Sequence, residues 1–243
     1  MVKLGNFFFR TRNYLFPFFY FILFMPFHRL SENFKAIFIV GFTIALIGQA
    51  IRMLTIGLIY IVRGGKNRRI YANGLVTDGI FSHCRNPMYV GNILLITGMS
   101  ILSNSIFSIA VMIPLFVFIY QAIVRAEEAF LSNKFGPGYD SYCAKVNRWI
   151  PNLSGIEKTL SSNKFNFKKV IYKEYNSAFL WLLGAVLLYA YNAYWFGDDI
   201  SMNGAGPIFL AIITMLLLFY LSVRYFKKRE KRRKRREPEE GLA

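Results

Sequence analysis

Four polar side chains, His83, Arg85, Asn86 and Tyr89, stand in the stretch "GIFSHCRNPMYVG" (79–91), at the mouth of a long apolar run. A second group, Arg125, Glu127 and Glu128, closes the next apolar run, and Tyr139, Tyr142 and Arg148 follow it. Gln49 and Arg52 lie one helical turn apart toward the end of an earlier run. Guanidinium, carboxylate, imidazole and phenol groups hold ions and move protons. Set among apolar runs they are costly, and that cost marks a binding or reactive site. The plainer alternative is that Arg85 and Glu128 staple two helices and Arg52 snorkels to the interface. Two His and two Cys, scattered along the chain, do not form a zinc or haem site, and no metal is expected. "RGGKN" lacks the spacing and the Ser/Thr of a phosphate loop.

The elements that must position these groups follow from composition. Of 243 residues, 55% are hydrophobic and 18% charged, yet the formal net charge is +17. The apolar residues come in blocks with the charges between them. That is the pattern of an all-α, polytopic helical membrane bundle, because lipid forces backbone groups to pair within each segment. Six blocks are visible: about Tyr14–Phe27, Ala36–Val62, Met88–Leu102, Ile106–Val124, Ala178–Phe196 and Pro207–Tyr225. The first is short, contains Pro17 and Pro26, and reads as an uncleaved signal anchor. With the N-terminus inside and six alternating spans, 27 of the 30 Lys and Arg fall on the inner side. The positive-inside rule therefore gives an N-in, C-in topology, with the candidate site at the cytosolic membrane face. Cys84 and Cys143 then face a reducing compartment, so no disulfide is expected.

The turn "SNS" (103–105) makes the third and fourth blocks a hairpin, which brings Arg85–Tyr89 and Arg125–Glu128 to one depth. The inner segment 63–87 reads as a loop, with Asn86 capping the third span and Pro87 its first residue. The fourth span should run on to Gly136, with Val124, Glu128, Leu131 and Phe135 on one face and Glu127 about 100° away. A carboxylate facing inward there needs a cationic or donor partner. The expected divisions are an anchor span and short outer loop (1–35), a core (36–151), a cytosolic linker (152–176), two extra spans (177–226) and a polybasic tail (227–243). The tail carries no aromatic residues past the membrane edge. It reads as an anchor to anionic lipids, not as a nucleic-acid binder.

"GLVTDGIFSHCRNPMYVGNILLITGMSIL", an apolar hairpin and "RAEEAFLSNKFGPGYDSYCAKVNRWIP" together resemble the isoprenylcysteine carboxyl methyltransferase and phospholipid methyltransferase superfamily. The likeness spans about residues 46–151, including "IGQAIRMLTIG", and rests on the ordered set of motifs. It implies methyl transfer from S-adenosyl-L-methionine without a Rossmann domain, in a pocket at the cytosolic membrane face. By this resemblance Arg85, Asn86, Tyr89, Glu127, Glu128 and Tyr139 would line the cofactor pocket. Arg85 would hold the carboxylate of the donor, and Glu128 its ammonium. Arg52 and Arg125 would face the acceptor, and His83 or Glu127 would serve as base for an amine. Two departures stand out: Asn86 replaces the common His, and Phe81 the usual Tyr.

The acceptor is not named by the sequence. Isoprenylated proteins, phospholipids, quinone-like lipids and small thiols all suit the chemistry, and the oligomeric state is open. Two other readings stand beside this one. A sterol-type membrane reductase would use NADPH and could draw its phosphate site from "RGGKNRR". A non-enzymatic scaffold would use the basic tail to recruit an anionic partner.

Overall fold

The computed structural model describes all residues except 26, 59–62, 67–68, 73, 163, 197–201 and 241–243. For 63–66, 69, 196, 202–205 and 234–240 it describes the backbone only. The chain divides into two compact units, Met1–Phe165 and Asn166–Ala243.

The first unit is helical. Helix α1 spans Val2–Tyr20, with a single 3-10 turn, Phe21–Phe24, after it. Helix α2 spans Phe34–Leu58, α3 Pro87–Leu102, α4 Ile106–Phe135, α5 Pro137–Lys145 and α6 Ile156–Ser162. Among the described residues, one two-stranded antiparallel ribbon pairs β1 (Arg63–Lys66) with β2 (Arg69–Ala72). Sequence reasoning treats that stretch as loop.

Local chemistry sets the helix ends. Asn33 Oδ1 accepts from the Ala36 amide and caps α2; Ser105 Oγ accepts from the Ser108 amide and caps α4. Gly136, at φ 54°, ends α4 where a residue with a side chain would be strained, and Pro137 opens α5. The expected stop of the fourth span is thus met.

Small residues let the helices meet at backbone distance. A Cβ on Gly98 would lie 2.5 Å from both Ala45 N and Gly41 O, and one on Gly48 would lie 2.6 Å from Gly91 O. Helices α2 and α3 therefore pack through a small-residue seam, as membrane helices do. Helix α1 runs antiparallel to α4. Gly5 meets the backbone of Ala122, Phe16 packs edge-on to Phe116, and Ser108 Oγ donates to Ile22 O. The N-terminus of α1 hence lies beside the end of α4 that carries Glu127 and Glu128. The α3–α4 turn is pinned at the other end, where Asn104 exchanges hydrogen bonds with Ser31.

The expected linker 152–176 does not behave as one segment. Residues 152–165 pack on the first unit: Ile156 lies against Val76, Ile80 and Phe81, and the Phe165 ring sits over Gly57. The remainder begins the second unit, in which α7 spans Phe167–Phe196 and α8 Met202–Glu240. Asn166 Oδ1 accepts from the Lys169 amide and starts α7 earlier than the apolar pattern alone indicates. Within this unit the two helices are antiparallel, with Tyr189 against Phe209 and Lys168 paired to Glu230 at 2.9 Å. The polybasic tail continues α8, as a run of Lys, Arg and Glu permits.

Four described helices are long and apolar enough to cross a membrane: Phe34–Leu58, Ile106–Phe135, Phe167–Trp195 and Gly206–Arg233. Pro87–Leu102 is apolar but shorter. The first block is not an apolar span of its own. Its helix starts at Val2, takes in Lys3, Arg10 and Arg12, and ends at Tyr20.

Candidate functional site

The site forms where α3 begins and α4 ends. Glu128, which is 9% exposed, is the centre. Its Oε2 lies 2.7 Å from Arg148 Nη2, and its Oε1 accepts from Arg148 Nε at 3.1 Å. Arg85 Nη1 stands 3.3 Å from the same Oε1, and Asn86 Nδ2 reaches it at 3.5 Å. Two guanidiniums face one carboxylate, so the cluster holds a net positive charge. Burial works against the Arg85 charge, but Glu128, Cys143 and Tyr139 together outweigh burial and hold the guanidinium above its ordinary value.

The segment before α3 and the segment after α5 are brought together by two hydrogen bonds. The Arg85 amide donates to Asn147 O, and Asn86 Nδ2 donates to Arg148 O at 3.3 Å. Asn86 is the first-turn boundary residue of α3, as expected, but its side chain makes no cap. It turns instead toward Glu128 and Arg148. Two buried polar atoms here have no hydrogen-bond partner among the described residues: Arg85 Nε, a donor, and Asn86 Oδ1, an acceptor. Buried polar groups are normally satisfied, so an open donor and an open acceptor side by side point to a ligand.

Glu127 occupies the neighbouring direction on α4, as the helical period requires. Its Oε1 accepts from Tyr89 Oη at 2.7 Å, both residues being buried. Tyr89 also lies against Tyr120, ring centroids 5.4 Å apart. Tyr139 is buried in an apolar cluster with Ala72, Leu131 and Tyr142, while Tyr142 Oη donates to Phe81 O at 2.7 Å. These two phenol rings brace the site from below.

Arg125 is exposed, whereas Glu127 and Glu128 beside it on α4 are buried. Arg52 hydrogen-bonds to Asn92 of α3 inside the bundle, and its Cγ would be met by a Cβ on Gly91. It ties α2 to α3. His83 has both ring nitrogens engaged: Nδ1 donates to Asn152 O at 2.6 Å, and Nε2 lies 2.8 Å from Thr159 Oγ1. Its backbone carbonyl also accepts from the Asn152 amide. His83 is therefore a clasp for the 152–159 segment; with Nδ1 donating to the Asn152 carbonyl, Nε2 carries the lone pair and faces the Thr159 hydroxyl.

Sequence reasoning underrates Arg148. The signal available was its place just before Pro151, in the segment that the motif pattern closes. The side chains of "RGGKNRR", on which a nucleotide-phosphate site would rest, lie outside the described residues. Among the described residues no three of His, Cys, Asp and Glu come together.

The fold and the site together define a helical integral membrane protein with a polar, cation-rich cluster at one end of a helical hairpin. Residues 36–138 match the phospholipid methyltransferase family. That interval covers most of the span of the motif resemblance and, but for the first two residues of α2, all of α2 to α4. The nickel-cobalt-cadmium resistance protein NccN of Alcaligenes xylosoxydans xylosoxydans is 33% identical over 110 residues, 42% of this chain and 51% of that protein. The cobalt-zinc-cadmium resistance protein CzcN of Cupriavidus metallidurans is 33% identical over 115 residues, 46% of this chain and 50% of that protein. The protein-S-isoprenylcysteine O-methyltransferase of Schizosaccharomyces pombe is 38% identical over 78 residues, 32% of this chain and 33% of that protein. The chain thus spans about half the length of the first two relatives. No solved structure matches.

Proposed function

We propose that this protein transfers the methyl group of S-adenosyl-L-methionine to a lipid or lipid-linked acceptor at the inner face of the membrane. The observation that carries the reading is the Arg85–Glu128–Arg148 cluster with its two open polar atoms; Arg85 and Glu128 lie within the stretch that matches the phospholipid methyltransferase family, and Arg148 follows it. The residues present fit the cofactor. Its amino-acid end has a carboxylate, which suits Arg85 Nε and the surplus positive charge, and an ammonium, which suits Asn86 Oδ1. The start of α3 adds favourable potential for an anion. Glu128 then acts by holding both guanidiniums in place, a change from a direct ammonium contact.

When bound, the cofactor supplies a methyl group on a sulfonium, the electrophile of an in-line displacement. The protein's own part is alignment and exclusion of water. A carboxylate or thiolate acceptor attacks without a base. An amine must first lose a proton, and the carboxylate available for that is Glu127, with Tyr89 on one of its oxygens. The engagement of both His83 nitrogens and the O-methyltransferase name of one relative favour an acceptor that arrives as an anion. The basic tail fits an anchor to anionic lipids.

The test is methyl incorporation. Membranes containing the protein are incubated with methyl-labelled cofactor, and the lipid and lipidated-protein fractions are counted. Label above the vector control, lost in Glu128→Gln, supports the reading; label equal to the control counts against it.

A further inference from the structure

A second face of the α4 exit borders a cavity of about 360 Å³ between α1, β2 and α4. Its walls include Phe9, Ala126 and Phe130, and its polar members are Asn6, Arg10 and Asn133. Among the described residues, no Asp or Glu lines it. Among the described residues these three polar side chains have no hydrogen bond, ion pair or ring contact, in contrast to Arg85 and Arg148, which are both committed to Glu128. One guanidinium and two amides thus surround one apolar-walled space with their donors unspent. The half of the cavity made by α1 precedes residue 36, so it lies outside the segment matched to the family.

We infer that this cavity binds the phosphate headgroup of an anionic glycerophospholipid. The volume falls near the lower end of ligand pockets, roughly 300–1,000 Å³, which suits a headgroup and its glycerol and not a whole lipid. Arg10 offers the planar fork that pairs with phosphate oxygens, and the amide groups of Asn6 and Asn133 add neutral donors. Val2, Leu4 and Phe7 on the same turns of α1 are exposed, which gives acyl chains an apolar path away from the cavity. A free anion would have no use for that path, so the lipid is the occupant the structure favours. The inference does not depend on methyl transfer.

The test is native mass spectrometry of the full chain in detergent with phosphatidylglycerol as the probe. The wild type retains one tightly held phosphatidylglycerol. Its affinity falls about tenfold in Arg10→Ala, the scale of one charge-assisted hydrogen bond, and at least as far in Asn133→Asp, which adds a repelling charge. Lys228→Ala in the basic tail leaves it unchanged, and millimolar inorganic phosphate does not displace it. The idea is overturned if Arg10→Ala and Asn133→Asp bind as the wild type does. Equal retention of phosphatidylcholine would also overturn it, as would displacement by phosphate, which marks a free-anion site. All three altered residues are exposed, and matching thermal midpoints exclude misfolding as the cause.

Discussion

At the scale of residues, the account turns on a single carboxylate shared by two guanidiniums. Glu128→Gln leaves Arg85 and Arg148 facing each other without their counter-charge. Breaking a largely buried pair in this way costs about 3 kcal/mol, so the thermal midpoint in detergent should drop measurably. Arg85→Lys is the sharper probe. It keeps the charge that faces Glu128 but has no Nε, the open donor. Cofactor affinity should fall about tenfold while the midpoint moves little. An unchanged affinity would remove Nε from the site. His83→Ala should raise protease cleavage within 152–162, because the ring holds Asn152 and Thr159 together. If cleavage is unchanged, His83 is not the clasp. The sequence shows the polar types at Arg85, Asn86 and Glu128 but not their pairing. Asn86 meets Arg148 across 62 residues, and His83 meets Thr159 across 76. No local period encodes such contacts.

At the scale of elements, the α2–α3 seam sets the depth of everything at its end. Gly98→Val would press a side chain into the backbone of Gly41 and Ala45 and should cost about 1–3 kcal/mol in a thermal unfolding measurement. Gly138→Ala is the control, since its added Cβ meets nothing within 4 Å and should leave the midpoint nearly unchanged. Equal effects at the two positions would contradict the close approach. The apolar blocks, the "SNS" turn and the Gly136 stop were all legible, because length, hydrophobicity and backbone chemistry are local properties. The ribbon 63–72 and the packing of 152–165 were not. Gly and charge in the first stretch, and polar residues in the second, read as loop and linker. What orders the second is Ile156 and Phe165 finding partners far along the chain. Helix α1 was misjudged for a related reason. Its basic residues look like a flank, yet they are helix formers in a helix whose Gly5 and Phe16 pack against α4.

At the scale of the whole molecule, the proposed orientation keeps the site, both cysteines and the tail on the inner side. A membrane-impermeant maleimide should label Glu32→Cys in intact cells, and Lys228→Cys only after lysis, with Cys143→Ser as background. The reverse pattern would turn the molecule over. The account's central claim is cofactor binding, and its most direct measurement is calorimetric titration of S-adenosyl-L-methionine and of NADPH into the purified full chain. Micromolar binding of S-adenosyl-L-methionine, weakened in Arg85→Lys and lost in Glu128→Gln, is the expected result. Binding of NADPH alone, or binding of S-adenosyl-L-methionine that ignores both substitutions, would contradict the account.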